Sequence, residues 1–180
     1  MSTDHAVPLT TRTRTAIRDV PDFPKPGILF RDITPLLADA SLLREVIAEM
    51  ARPFAGVGIT HVIGVESRGF LFGVPIAQLL AVAFVPARKP GKLPRATVSE
   101  PFALEYGADT LSIHADAIDE NATVLIVDDV LATGGTVAAV LSLVGTCGGT
   151  VAGISILIEL SSLGGRAVLN GLPVHALVEY

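Results

Sequence analysis

The run Val124 to Ala139, VLIVDDVLATGGTVAA, decides how this chain is read. Four apolar residues, Val124 to Val127, lead straight into two adjacent carboxylates, Asp128 and Asp129. Ala132-Thr133-Gly134-Gly135-Thr136 follows, and Val137, Val140, Leu141 and Val144 then recur at helical spacing. The pattern is a buried strand, a glycine-rich turn and a helix. Like charges side by side at a strand end repel, so the pair is costly unless something cationic sits there. Gly134 and Gly135 let backbone N–H groups approach a ligand, Thr133 and Thr136 offer hydroxyls, and the positive end of the helix dipole points back at the turn. Together these make a phosphate cradle. The acids could accept hydrogen bonds from a sugar diol, help to hold a hydrated Mg²⁺, or stabilise developing positive charge. A ribose 5-phosphate satisfies both halves, with its diol at the acids and its phosphate at the turn. No lysine follows the glycines, which excludes a Walker-type loop, and no G-x-G-x-x-G follows a first strand. Many α/β proteins carry a glycine turn between strand and helix without any ligand, so the paired acids are what sharpen the reading.

Outward from this run, apolar strands alternate with helical patterns. His61 to Glu66, Val151 to Ile158 and Val174 to Val178 read as strands, and Ala83 to Arg88 as another short apolar run. Thr10 to Asp19, a helix starting at Asp39-Ala40-Ser41, and Arg68 to Leu80 read as helices, the last weakened by Gly73 and Pro75. Ile28 to Arg31 reads as a short strand or an ordered loop. The expected fold class is α/β, a mainly parallel sheet covered by helices on both faces, with ligands at the carboxyl ends of its strands. Residues 1–180 read as one domain, without repeats or a linker. Lys89 to Asp109 stands apart, with Pro90, Gly91, Pro94, Pro101 and Gly107 among charges, and reads as a lid or binding loop.

Half the residues are hydrophobic and 17% are charged, which excludes a disordered chain. A net charge of −5 without a basic run argues against nucleic acid or an anionic membrane surface as partner. Arg12, Arg14 and Arg18 read as a solvated helix face. The lone Cys147 fits a reducing cytoplasm, and the N-terminus has no apolar signal core. The histidines have no metal-ligand spacing.

The run VLIVDDVLATGGT resembles the phosphoribosyl pyrophosphate (PRPP) signature of the type I phosphoribosyltransferases. FPKPGILFRDITPLL (Phe23 to Leu37), GVESRGFLFG (Gly64 to Gly73), RKPGKLP (Arg88 to Pro94), LEYG (Leu104 to Gly107) and IELSSLGGR (Ile158 to Arg166) narrow the resemblance to the adenine phosphoribosyltransferases. It implies the type I fold with a mobile hood, an N-terminal base-binding segment at 1–37 and a lid at 89–109. It implies a reaction in which adenine and PRPP give AMP and pyrophosphate, with Mg²⁺, in a cytoplasmic homodimer.

The resemblance also implies roles for residues. Ala132, Thr133, Gly134, Gly135 and Thr136 would take the 5-phosphate, and Asp128 and Asp129 the ribose hydroxyls, with Mg²⁺ reaching these acids through substrate and water. Ser67, Arg68, Arg88, Lys89 and Lys92 would meet pyrophosphate, with the Glu66–Ser67 peptide cis. Pro90 stands where some relatives carry another basic residue. Glu105 would handle the purine's proton. Leu29 and Arg31 would face the adenine edge through backbone, and Leu160 would cover the ring. Plainer readings exist: Arg68 as a surface helix residue, Lys89 and Lys92 as solvated charges, Glu105 as an exposed lid residue, Leu29 and Leu160 as core. A phosphoribosyltransferase for another base, or a regulator that senses PRPP without catalysis, are the rival functions.

Overall fold

The computed structural model of the chain describes residues 7–104 and 107–180, with backbone alone at 103–104 and 107–108. The chain divides into two compact units, residues 1–49 and 50–180. The division falls inside a helix, whereas the sequence suggests one domain with an N-terminal segment ending at Leu37.

In the first unit, α1 (Leu9–Ala16) leads into an antiparallel pair, β1 (Arg18–Pro21) and β2 (Leu29–Asp32). Arg18 is thus a strand residue and does not share a helix face with Arg12 and Arg14. Arg12 pairs with Glu45. The short α2 (Thr34–Ala38), absent from the sequence reading, is started by Asp32, whose carboxylate accepts from the N–H of Thr34 at 2.9 Å and from its hydroxyl at 2.8 Å. Asp39 caps α3 (Ala40–Ala51), accepting from the N–H groups of Ser41 at 3.1 Å and Leu42 at 3.0 Å.

The second unit is built on a five-stranded parallel sheet in the order β4-β3-β7-β8-β9. These strands are β3 (His61–Val65), β4 (Ala83–Ala87), β7 (Thr123–Leu131), β8 (Thr150–Glu159) and β9 (Val174–Glu179). Helix α4 (Gly69–Leu80) crosses from β3 to β4 and α5 (Gly135–Thr146) from β7 to β8. These crossovers run in opposite directions along the sheet, so right-handed connection puts the two helices on opposite faces. The chain therefore reverses direction between β3 and β7, and their carboxyl ends border a crevice. Central β7 is buried along almost its whole length. The core packs Ile63, Ile126 and Ile154 of the sheet against Val137, Val140 and Val144 of α5. Among the described residues no helix is long and apolar enough to cross a membrane.

The stretch 89–109 is only half irregular. Thr97–Leu104 (β5) and Gly107–His114 (β6) pair as an antiparallel hairpin. Val98 and Phe102 of β5 pack on the core, to which Leu111 and Ile113 of β6 belong, while Ser99 and Pro101 are exposed. Pro101, which hid this alternation, is tolerated because a two-stranded ribbon consists of edges.

Gly73, which the sequence reads as a weakness in α4, has a packing reason. A Cβ there would stand 2.8 Å from Cε2 of Phe84, and one on Gly64 of β3 would meet the same atom at 2.8 Å. The Phe84 ring thus lies in a slot between helix and strand, edge-on to Phe70 with centroids 5.9 Å apart. Helix propensity alone would make Gly73→Ala stabilising by about 1 kcal/mol. The clash reverses the sign, and we expect a net loss of about 1–3 kcal/mol in urea unfolding. In a Phe84→Leu background the same change should cost less or stabilise; an unchanged loss there would dismiss the ring as its cause.

Candidate functional site

The site is built at the carboxyl ends of β3, β4, β7 and β8. Asp128 and Asp129 lie within β7 and are 8% and 5% exposed, so both carboxylates are withdrawn from water. The N–H of Asp129 donates to Oδ1 of Asp128 at 2.9 Å. Oδ2 of Asp129 lies 2.9 Å from Nε of Arg68 in an ion pair. Burial pushes the Asp128 carboxyl well above the usual carboxylate range, and the charge of Asp129 adds to the shift. Burial also raises Asp129, against the pull of the Arg68 guanidinium. A cationic ligand, or one offering hydroxyl donors, would stabilise the charged pair.

Arg68 stands at the N-cap of α4, directly after the Glu66–Ser67 peptide, which is cis. Ser67 is exposed. Gly69, the first residue of α4, was not singled out from sequence. A Cβ there would sit 2.9 Å from Oδ1 of Asp128 and 2.9 Å from the carbonyl of Val127. Only a residue without a side chain lets the start of α4 approach the acids this closely. A glycine at a strand-to-helix turn was the available signal.

Beyond Asp129 and the end of β7, Ala132 to Gly134 form the turn and Gly135 opens α5. Gly134 has φ +86°, the left-handed region that favours glycine, and no side chain caps the helix. The first N–H groups of an α-helix have no intrahelical acceptor, so this end offers donors to an anion. Thr133 is exposed and Thr136 is half-buried.

Glu66 organises the cations after β4. Arg88 donates to it through Nε at 3.1 Å and Nη2 at 3.2 Å, and the N–H of Lys89 donates at 3.0 Å. The hydrogen bonds from Arg88 hold the Glu66 carboxyl below its usual range, with Lys92 acting in the same direction. Nη1 of Arg88 also reaches the carbonyl of Lys92 at 3.0 Å. Nζ of Lys89 pairs with Asp109 at 2.8 Å. Glu66 and Asp109 were not assigned from sequence, because a counter-ion acts through space and leaves no local pattern.

Leu160 follows β8, its N–H donating to the carbonyl of Leu131 at 2.9 Å beside the turn. Leu29 and Arg31 belong to the first unit. There Leu29 is 46% exposed, which removes its reading as core, and the Arg31 side chain pairs with Asp19 on the neighbouring strand. Glu105 lies outside the described residues.

Residues 33–166 match the phosphoribosyl transferase domain. An adenine phosphoribosyltransferase of Francisella tularensis subsp. holarctica is 54% identical over 169 residues, covering 93% of this chain and 97% of that protein. The crystal structure of adenine phosphoribosyltransferase from Rhodothermus marinus superposes with a TM-score of 0.91 at 49% identity, over 96% of this chain and 98% of the other. The enzyme from Saccharomyces cerevisiae, in complex with an imino-altritol bisphosphate and adenine, gives 0.88 at 38% identity, over 94% and 98%. With its acids and glycine turn at the reversal of a parallel sheet, the chain belongs to the phosphoribosyltransferases. Within them it is a member of the adenine phosphoribosyltransferase family.

Proposed function

We propose that this chain transfers the 5-phosphoribosyl group of PRPP to adenine, giving AMP and pyrophosphate, a step of purine salvage. The observation that carries the residue-level reading is the buried Asp128–Asp129 pair, with Arg68 on one side and the open N-terminus of α5 on the other. The turn Ala132 to Thr136 takes the 5-phosphate, and the two acids take the ribose hydroxyls. Ser67, Arg68, Arg88, Lys89 and Lys92 take pyrophosphate. Leu29, Arg31 and Leu160 are assigned to the base and Glu105 to its proton, on family resemblance.

The chemistry follows from these placements. A ring nitrogen of adenine forms its bond to the anomeric carbon while the bond from that carbon to pyrophosphate oxygen breaks. Positive charge builds on the ribose as in other glycosyl transfers, and carboxylates already withdrawn from water stabilise it more than solvated ones would. The proton displaced from adenine passes to a carboxylate, the role given to Glu105. The guanidinium of Arg68 and the basic groups after β4 receive the charge of the departing pyrophosphate. Mg²⁺ fits this donor set: burial strains the two acids, a cation relieves them, and it characteristically takes one or two carboxylates together with substrate phosphates. When bound it neutralises charge on the leaving group.

A cytoplasmic homodimer belongs to the same reading. Cys147 is a free thiol, and Leu71, Val74 and Leu79 of α4 are 45%, 40% and 59% exposed, an apolar stripe that a second copy would cover. Light scattering should give twice the chain mass, and Leu71→Asp with Leu79→Asp should give one; a monomeric parent would end the dimer assignment.

Asp128→Asn with Asp129→Asn should lower turnover by at least about 10³-fold while circular dichroism stays that of the parent. With a panel of bases, the parent should use adenine and neglect hypoxanthine, guanine and xanthine. Near-normal turnover in the double variant would remove the acids from the mechanism, and a preference for a 6-oxopurine would replace adenine as substrate.

The segment Pro90 to Ala96 is largely exposed and without regular structure, which supports a lid whose tip closes over substrate. Trypsin should cut after Lys92 and Arg95, and PRPP with Mg²⁺ should slow the cuts at least about fivefold. Equal rates with and without ligand would make the segment fixed scaffold.

A further inference from the structure

Arg166 has no part in the roles above, yet it closes a network at the end of β8. Its Nε donates to both oxygens of Glu159 at 2.8 and 2.9 Å, and Nη2 donates to Oε2 at 2.6 Å. Nη1 donates to the carbonyl of Val174 at 3.1 Å, and Oε1 of Glu179 lies 3.7 Å from Nη2. Glu159 is only 5% exposed, so its charge depends on this guanidinium in place of water. The bonds tie together the end of β8, the start of β9 and the 3₁₀ turn Gly165–Val168.

The glycine-rich turn after β7 rests directly on that 3₁₀ turn. A Cβ on Gly165 would stand 2.3 Å from the carbonyl oxygen of Ala132, and one on Gly134 would stand 2.6 Å from the carbonyl oxygen of Gly165 and 2.5 Å from Cγ2 of Val168. Backbone meets backbone there, with the side chains of Val168 and Leu131 packed beside the contact. A displacement of one turn passes to the other without being absorbed by rotamer changes.

We propose that Arg166 is a positioning residue for the 5-phosphate. Its ion pair with Glu159 fixes the Gly165–Val168 turn as the floor of the Ala132–Thr136 turn, and so sets affinity for ligands that carry a 5-phosphate. The proposal rests on the reading of Ala132–Thr136 as the phosphate cradle.

Calorimetric binding of ribose 5-phosphate, and inhibition by inorganic pyrophosphate, test it in the full chain. Arg166→Met should weaken ribose 5-phosphate by about tenfold or more, because small displacements of a binding group are expensive. It should leave the inhibition constant of pyrophosphate within about twofold, since that anion is assigned to other residues. Arg166→Lys should fall between parent and Arg166→Met, as an ammonium keeps the charge without the fork. Glu179→Gln, altering only the distant member, should match the parent. Unchanged ribose 5-phosphate affinity in folded Arg166→Met would overturn the proposal. So would equal weakening of ribose 5-phosphate and pyrophosphate, the mark of general loosening. If Arg166→Met does not fold, Arg166→Lys is judged by the same comparison of the two ligands. Thr133→Ala with Thr136→Ala separates the premise from the proposal. If this pair weakens ribose 5-phosphate while the Arg166 variants do not, only the positioning role fails; if it too changes nothing, the cradle fails and the proposal with it.

Discussion

Two carboxylates held out of water inside the central strand are the constraint to which the rest of the second unit answers. A strand end could release such a pair into solvent by fraying. Here β7 continues past the acids to Leu131, and its ladder with β8 pairs Asp128 with Ile156 and Val130 with Ile158. The backbone is therefore fixed on both sides of the charges. Relief comes instead from a guanidinium at the start of α4 and from whatever ligand enters. Burial without a full set of partners is unfavourable for the resting protein, and it is the condition under which a carboxylate stabilises a developing cation most strongly.

The cations after the strand ends are held by the complementary principle. Arg88 is fixed by Glu66, whose side chain is 16% exposed and also accepts from the N–H of Lys89. Lys89 is paired with Asp109, its own side chain 57% exposed. Exposed pairs of this kind contribute about 0–1 kcal/mol, so a polyvalent anion can take the lysine from its carboxylate at small cost. The guanidinium of Arg88 has a forked, partly buried anchor and is harder to move. The arrangement separates a fixed cation from an exchangeable one. It also keeps the unliganded chain from presenting a cluster of mutually repelling charges.

The central part of this arrangement was legible because its signals are local. An apolar run, two acids, a glycine turn and a helical repeat stand next to one another between Val124 and Ala139, and β7 is buried on both faces, so the pattern is undiluted. The hairpin β5–β6 was lost because Pro101 and interspersed charges interrupt an alternation that only the antiparallel partner completes. Glu66, Gly69, Asp109 and Gly165 act on residues distant in sequence. Their meaning lies in what stands opposite: a guanidinium for Glu66, a carboxylate for Gly69, an ammonium for Asp109, a carbonyl for Gly165. No periodicity encodes such relations. Gly73 shows the opposite error, in which an intrinsic propensity was read as weakness although the ring of Phe84 requires the missing side chain.

The reversal of strand order links these separate features to the shape of the proposed substrate. Because β3 and β7 are neighbours whose following helices leave for opposite faces, the N-termini of α4 and α5 both border the crevice where the acids lie. Neither helix start is capped by a side chain, so each directs a positive dipole end at that crevice, although at α4 the N–H groups of Phe70 and Leu71 already donate to the carbonyls of Ser67 and Arg68. PRPP carries phosphates at both ends of its ribose. On the proposed reading the sugar lies over the carboxylates, pyrophosphate is toward α4 and Arg68, and the 5-phosphate is toward α5. Two positive ends separated by a negative centre match two anionic groups separated by a ribose that becomes cationic. A single helix start could hold one phosphate but could not orient the anomeric carbon. On the proposed reading, two starts would fix both ends of the sugar and leave the carbon between them exposed to attack.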